Sequence, residues 1–175
     1  MSSLGSGAVS RVFNGRYGIH PTAFKIFRDE AARREEQELV IVIQGSNWQL
    51  PSSCWNLLHC FGPDQLNPSN PRKHAAPFPL VVYGLHYELA PHGSLAQFLR
   101  VERPLRNEAL CYVWAHDLFC ALRFLHGKHI HHNDVKPENI LVFANGVLKL
   151  GDFNLSRHTP DDKALQSRDV LGTPS

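Results

Sequence analysis

The sequence lacks most of the features that fix a protein's class at a glance. It has no strong charge: 18 Lys and Arg against 16 Asp and Glu leave a formal net charge of +2, too little to argue for nucleic acid or an anionic membrane surface. It has no C-x-x-C pair, and its four cysteines, Cys54, Cys60, Cys111 and Cys120, form no compact framework. They read as reduced thiols of an intracellular protein, cytoplasmic or nuclear. No apolar run is long enough to span a bilayer, and no internal repeat is present. The opening "MSSLGSGAVS" has neither a basic n-region nor an apolar h-region, so no signal peptide is expected there. What is present is a 175-residue chain with 43% apolar residues, enough for one cored domain or two small lobes.

The first third reads as strands. "AVSRVFNGRYGIHPTAFKIF" is broken by turn signals at Asn14-Gly15 and again from Gly18 to Pro21. Asp29 to Glu38 is rich in Ala, Arg and Glu and is expected to be helical, with Asp29 as its N-cap. "LVIVI" at 39–43 is ambiguous between a strand and the buried continuation of that helix. Segments 46–56 and 62–79 read as loops, the second broken by Pro63, Pro68, Pro71, Pro77 and Pro79. "PLVVYGLHYEL" reads as a strand ending in the turn "APHGS". "NEALCYVWAHDLFCALRFLH" is the clearest helix, with Leu110, Val113, Trp114, Asp117, Leu118, Ala121, Leu122 and Leu125 on one broad face. "ILVF", then Asn145-Gly146, then "VLKL" predicts a tight β-hairpin.

The chemistry concentrates at the ends of that hairpin. Bringing its ends together sets Asp134 to Asn139 beside Asp152. Two carboxylates and a carboxamide so placed suit a hard divalent cation such as Mg²⁺, which takes oxygen ligands and keeps waters and phosphates. Lys136 beside them can neutralise a phosphoryl group, and the composition fits phosphoryl transfer. At the other end of the chain, "LGSGAVSRV" is expected to place Gly5 and Gly7 on a strand turn, where glycine lets backbone N–H groups approach a phosphate. Lys25, inside the apolar strand "TAFKIF", needs an anionic partner.

Taken in order, these pieces resemble a eukaryotic protein kinase catalytic domain. The glycine loop (Gly5, Gly7) is followed by "A-x-K" (Ala23, Lys25) and an acidic helix. "YELAPHGSL" resembles the hinge. Then come "HND-V-KPEN" (His132 to Asn139), "DFN" (152–154) and "GTP" (172–174). One G-x-G alone is weak; an H-x-D-x-K-x-x-N string followed at hairpin distance by D-F is strong. The resemblance implies an α+β bilobal fold, with a β-rich N-lobe and hinge over 1–90 and the start of a helical C-lobe over 91–175. It implies an ATP- and Mg²⁺-dependent kinase acting on a protein hydroxyl. Asp134 would handle that hydroxyl and Lys136 the transferring phosphoryl group, while Asn139 and Asp152 would hold Mg²⁺. Gly5, Gly7, Val12, Ala23 and Lys25 would surround the nucleotide. Lys25 would pair with a helix glutamate, Glu36 or, one position off, Glu35; Glu36 is favoured because Leu39, Val40 and Ile43 follow it at core-facing spacing. Glu88 to Ala90 would meet adenine, with Tyr87 guarding the back pocket. Lys136-Pro137-Glu138 and "GTP" favour the serine/threonine branch.

Departures from the family pattern are as informative. The third loop glycine is Ser10. Asn133 replaces an arginine that would read a phosphorylated activation loop, so that form of control is not expected. Asn154 replaces a glycine, at a position where Asn best tolerates positive φ. The chain stops soon after "GTP", before the family's "APE" segment, which implies an uncovered apolar face on the long helix that another protein could cover. A pseudokinase or nucleotide-binding interaction fragment is therefore the alternative function. A small-molecule phosphotransferase, sharing the H-x-D-x-x-x-x-N loop, fits Lys136 and "GTP" less well. Simpler readings exist for single residues. Lys25 could guard a strand edge, Asn139 and Asp152 could each cap a turn, and Glu36 could be one more solvated helix charge. His126, His129, His131 and His132 have the look of zinc ligands but the spacing of a turn before a catalytic loop, with His132 packing to shape that loop.

Overall fold

A computed structural model describes residues 3–6, 10–46, 48–49, 54–63, 84–102 and 107–160. Gly7, the proline-rich segment from 64 onward and the "GTP" triplet lie outside the described residues. The elements run β1 (Ser3–Ser6), β2 (Ser10–Tyr17), β3 (His20–Phe27), α1 (Glu30–Gln44), β4 (Cys60–Pro63), β5 (Gly84–Glu88), α2 (Leu95–Glu102) and α3 (Glu108–Gly127). After them come β6 (Ile130–His131), β7 (Ile140–Val142), β8 (Leu148–Leu150) and β9 (Arg157–His158). The first five strands form one antiparallel sheet in the order β1-β2-β3-β5-β4, and the pairs β6-β9 and β7-β8 form two small ladders. A β-rich first part followed by helices and short ladders is the α+β bilobal arrangement expected.

The turn between β2 and β3 falls at Gly18-Ile19, with Tyr17 opposite His20 and Gly18 at φ 59°. Asn14-Gly15 is not a turn. Both residues lie inside β2, paired with Ala23 and Thr22. Glycine is needed at position 15 for space: a Cβ there would stand 2.8 Å from that of Phe24. Asn-Gly is a turn signal when nothing crowds it; here a close strand-to-strand approach uses the same dipeptide.

Helix α1 starts where expected, the Asp29 carboxylate accepting from Ala32 N at 2.9 Å. It runs on through "LVIVI" to Gln44, which settles that segment as helix. Its buried residues, Glu36, Leu39, Val40, Ile43 and Gln44, follow the i, i+3, i+4, i+7, i+8 stripe of a core-facing helix. Gln44 docks the helix end onto β4, donating to Cys60 O at 3.0 Å and accepting from Cys60 N at 2.8 Å. Strand β4 takes in Gly62 and Pro63, where the sequence suggests a loop.

Helix α3 begins at its Asn107 cap and buries Trp114, Asp117, Ala121 and Leu125. This face is narrower than the expected one. Val113 is half exposed, and Tyr112 and Phe119 are more so. Asp117 belongs to the buried face because its carboxylate accepts from Leu148 N at 2.9 Å, and Trp114 donates to Gly146 O at 2.9 Å. Those two bonds hold β7 and β8 on the helix. The connection between the two strands is longer than a two-residue hairpin: a 3-10 turn, Ala144–Gly146, is closed by Gly146 N to Phe143 O and Phe143 N to Val147 O. Segment 54–58 is tied to β8 by Leu58 N to Leu150 O and Leu150 N to Asn56 O, which joins the two halves. Among the described residues no helix is long and apolar enough to cross a membrane.

Candidate functional site

Register alone lines up the N-terminal residues of interest. Gly5 faces Val12, Val12 faces Lys25, and Ala23 faces Tyr87. Since alternate strand residues share a face, Val12, Ala23, Lys25 and Tyr87 lie on one face of the sheet. Ser10 opens β2 opposite Phe27.

Lys25 is buried, and its ammonium is surrounded by acceptors. Its Nζ stands 2.6 and 2.9 Å from the two Glu36 oxygens, 2.8 Å from Asp152 Oδ1 and 3.3 Å from Asn154 Oδ1. Burial by itself would lower its pKa; the charge of Glu36, then that of Asp152, outweighs burial and holds the ammonium above the usual lysine value. The pairing left open between Glu35 and Glu36 goes to Glu36, while Glu35 is exposed. Tyr87 adds a second donor to the same carboxylate, its hydroxyl lying 2.5 Å from Glu36 Oε1. Burial first, and then the charge of Glu36, push the Tyr87 phenol well above its ordinary value, so it remains a donor.

A second cluster stands on the loop between β6 and β7. Asp134 Oδ2 accepts from Lys136 Nζ and from Asn139 Nδ2, each at 2.9 Å, and Asn139 also donates to Asp134 O at 2.9 Å. Backbone bonds link the two clusters: Gly151 N donates to Asn139 O at 2.9 Å, one residue before Asp152. His132 reinforces the link. Its Nε2 donates to Gly151 O at 3.0 Å, and its Nδ1 accepts from Asp134 N at 3.3 Å. Burial holds its pKa below the ordinary imidazole value, in keeping with a ring whose Nδ1 must stay unprotonated to accept.

Positive φ occurs at Asn133 (61°) and Asp152 (60°), not at Asn154. The expectation for Asn154 is therefore corrected. Its side chain is used as an acceptor for Lys25, whereas Asn133 supplies the left-handed tolerance and donates to Leu155 O at 3.2 Å. Among the described residues no group of three His, Cys, Asp or Glu could hold a metal ion; the rings of His126 and His131 pack with their centres 5.7 Å apart.

Glu88, at the end of β5, is held by several partners. Its carboxylate accepts from Lys149 Nζ at 2.7 and 2.8 Å and from His59 N at 2.7 Å, and its own N–H goes to His59 O. The Ala90 carbonyl accepts from Gly93 N in the following turn. Lys149, Tyr87 and Asn154 were not foreseen as partners of these groups. Lys149 alone carried a signal, a lysine alternating with leucines in "VLKL".

A family model described as "Protein kinase domain" matches residues 73–175, the stretch holding both halves of the second cluster and Asp152. The chain belongs to the protein kinase domain family. It is 38% identical over 76 residues to "Aurora/IPL1-related protein kinase 2" of Caenorhabditis briggsae, covering 43% of this chain and 25% of that protein. It is 35% identical over 99 residues to "Serine/threonine-protein kinase YPK3" of Saccharomyces cerevisiae, covering 51% of this chain and 17% of that one. With "Serine/threonine-protein kinase RUNKEL" of Arabidopsis thaliana it shares 43% identity over 82 residues, 47% of this chain and 6% of the relative. The matched region thus spans a quarter or less of these relatives.

Proposed function

We propose that this chain is the ATP- and Mg²⁺-dependent part of a protein serine/threonine kinase, with residues 1–90 as N-lobe and hinge and 91–175 as the start of the C-lobe. The observation that carries the reading is the convergence on Lys25 of Glu36 and Asp152, which are distant from each other in sequence. Lys25, already oriented, would meet the α- and β-phosphates, with Gly5, Gly7, Val12 and Ala23 around the nucleotide. Adenine would hydrogen-bond along Glu88 to Ala90; because the Glu88 N–H is committed to His59 O, the donor in this reading is Ala90 N–H. Asn139 and Asp152 form an oxygen donor set that fits Mg²⁺. With its nitrogen donating to Asp134, the Asn139 amide has its oxygen left as the atom that would serve a cation. When bound, the ion would offset charge on the phosphates.

Asp134, held in one orientation by Asn139 and Lys136, would accept the proton of a protein Ser or Thr hydroxyl. Lys136 would neutralise the phosphoryl group in transit. All four cysteines are free thiols, which supports a reducing, intracellular setting. Nothing in the charge balance calls for nucleic acid or membrane as a partner.

One contact favours a second reading, in which nucleotide binds and nothing is transferred. Asn154 Oδ1 occupies a donor of Lys25 that a phosphate would otherwise take. A thermal-shift titration of folded protein with Mg-ATP, repeated on Lys25→Ala, tests the binding common to both readings: a rise in Tm that Lys25→Ala abolishes is expected, and no response from the folded wild-type chain would overturn both. Transfer to generic basic peptides by a longer form, lost in Asp134→Asn with Mg-ATP binding kept, separates them.

A further inference from the structure

The polar groups around Lys25 include one whose position is unrelated to any phosphate. Tyr87 lies on β5, opposite Ala23 on one side and Cys60 on the other, and its side chain is buried. Its hydroxyl reaches across to α1 and gives the Glu36 carboxylate a 2.5 Å bond. Glu36 is thus held from two directions: by Lys25 of β3 through both oxygens and by Tyr87 of β5 through Oε1. The two donors differ in what competes for them. Lys25 is shared with Asp152 and Asn154, and a nucleotide phosphate would claim it as well. The Tyr87 hydroxyl is shared with no phosphate; it meets Glu36 and the neighbouring Cys60 thiol, and as a neutral phenol with a strongly raised pKa it does not become a repelling charge.

The geometry points to Tyr87 as a positioning residue that fixes Glu36, and through it helix α1, independently of Lys25. This rests on reading Lys25 as the phosphate-contacting lysine, because the place of Glu36 then sets where that ammonium stands. A buried carboxylate tied by a neutral hydroxyl as well as by the ammonium has a second hold when the ammonium is shared with phosphate. The ring packs α1 against β5; the hydroxyl sets where Glu36 stands.

Hydrogen exchange followed by mass spectrometry on the chain without nucleotide, wild type against Tyr87→Phe, tests this. Loss of a buried charge-assisted hydrogen bond is expected to speed exchange of the amides of residues 36–44 about tenfold. The amides of α3, which touch neither Tyr87 nor Glu36, should keep their wild-type rate. Unchanged exchange over 36–44 overturns the proposal, and so does an equal acceleration in α3, which would show a general loss of stability. If Tyr87→Phe does not fold, the wild-type chain still decides: a slowly exchanging hydroxyl proton correlated with the Tyr87 ring in NMR spectra supports the bond, and its absence overturns it. Since no nucleotide is present, failure here leaves the Mg-ATP titration standing, and a silent titration leaves this measurement standing.

Discussion

Two of the lysine–carboxylate pairs at the candidate site, Lys25–Glu36 and Lys136–Asp134, are built in opposite ways. Lys25 and Glu36 are separated by a strand end and two turns of helix; their side chains are 7% and 2% exposed. Lys136 and Asp134 are two residues apart on one loop, with side chains 32% and 11% exposed. The first pair exists only when β3 and α1 pack together, so it reports on the tertiary fold. The second is set by the local course of the backbone and survives on short-range geometry. Desolvation makes the buried pair costly to break from one side, because the remaining charge has no water to turn to. The second pair loses little when its lysine goes, because Lys136 is a third exposed and Asn139 still bonds the aspartate. One site therefore combines a rigid, fold-dependent half with a half that water reaches.

The sharpest way to break this contrast is to remove one charge from each pair. Glu36→Gln leaves Lys25 buried with Asp152 as its only carboxylate and is expected to cost about 3 kcal/mol in urea unfolding. A loss below about 1 kcal/mol would mean that Asp152 and Asn154 already satisfy the lysine. Lys136→Met is expected to cost less than about 1 kcal/mol by the same measurement, while reducing any phosphoryl transfer the protein carries out.

Acidification examines the link between the halves. His132 is held below its ordinary pKa of 6.5 by burial, so as pH falls the unfolded chain takes up this proton before the folded one does. Stability from this group is intact above about pH 6.5 and declines as pH drops from there toward the folded-state value. His59, also lowered by burial, acts in the same direction. A fall in Tm between pH 7.5 and pH 5.5 is expected, and His132→Gln should flatten it; an identical slope in the variant would remove His132 from the account. The smallest effect belongs to Arg34, whose exposed guanidinium meets Glu30 one helical turn back at 2.6 Å. Arg34→Ala is expected to cost about 0.3–0.5 kcal/mol at low salt and less at high salt.

The same contrast governs how much could be read beforehand. The loop cluster of Asp134, Lys136 and Asn139 was legible because its residues are neighbours in sequence, and Asp152 followed from a hairpin whose ends must meet. Glu36 was legible because its core-facing stripe was. Tyr87 on Glu36 and Asn154 on Lys25 were not, because nothing in a sequence states which strand a helix will face. Asn145-Gly146 did mark the β7–β8 hairpin, with only the kind of turn, a 3-10 turn over Ala144–Gly146, differing. Asn14-Gly15 was misjudged, because a dipeptide that permits a turn does not require one, and crowding against Phe24 decided the backbone there. Helix α2 went unread as well, hidden in the short run after "APHGS".

The Gln44 clamp on Cys60 has a consequence for how the molecule behaves among its own copies. Among the described residues strand β4 is the last in the sheet, and the outer side of a last strand offers unpaired N–H and C=O groups to any passing chain. By bonding both backbone groups of Cys60, the Gln44 amide imitates one residue of a further strand and leaves that residue nothing to offer. Replacing the amide with a side chain of the same length but no hydrogen bonds, as in Gln44→Met, would reopen a docking place for stray β-structure, and self-association in light scattering would be its first sign.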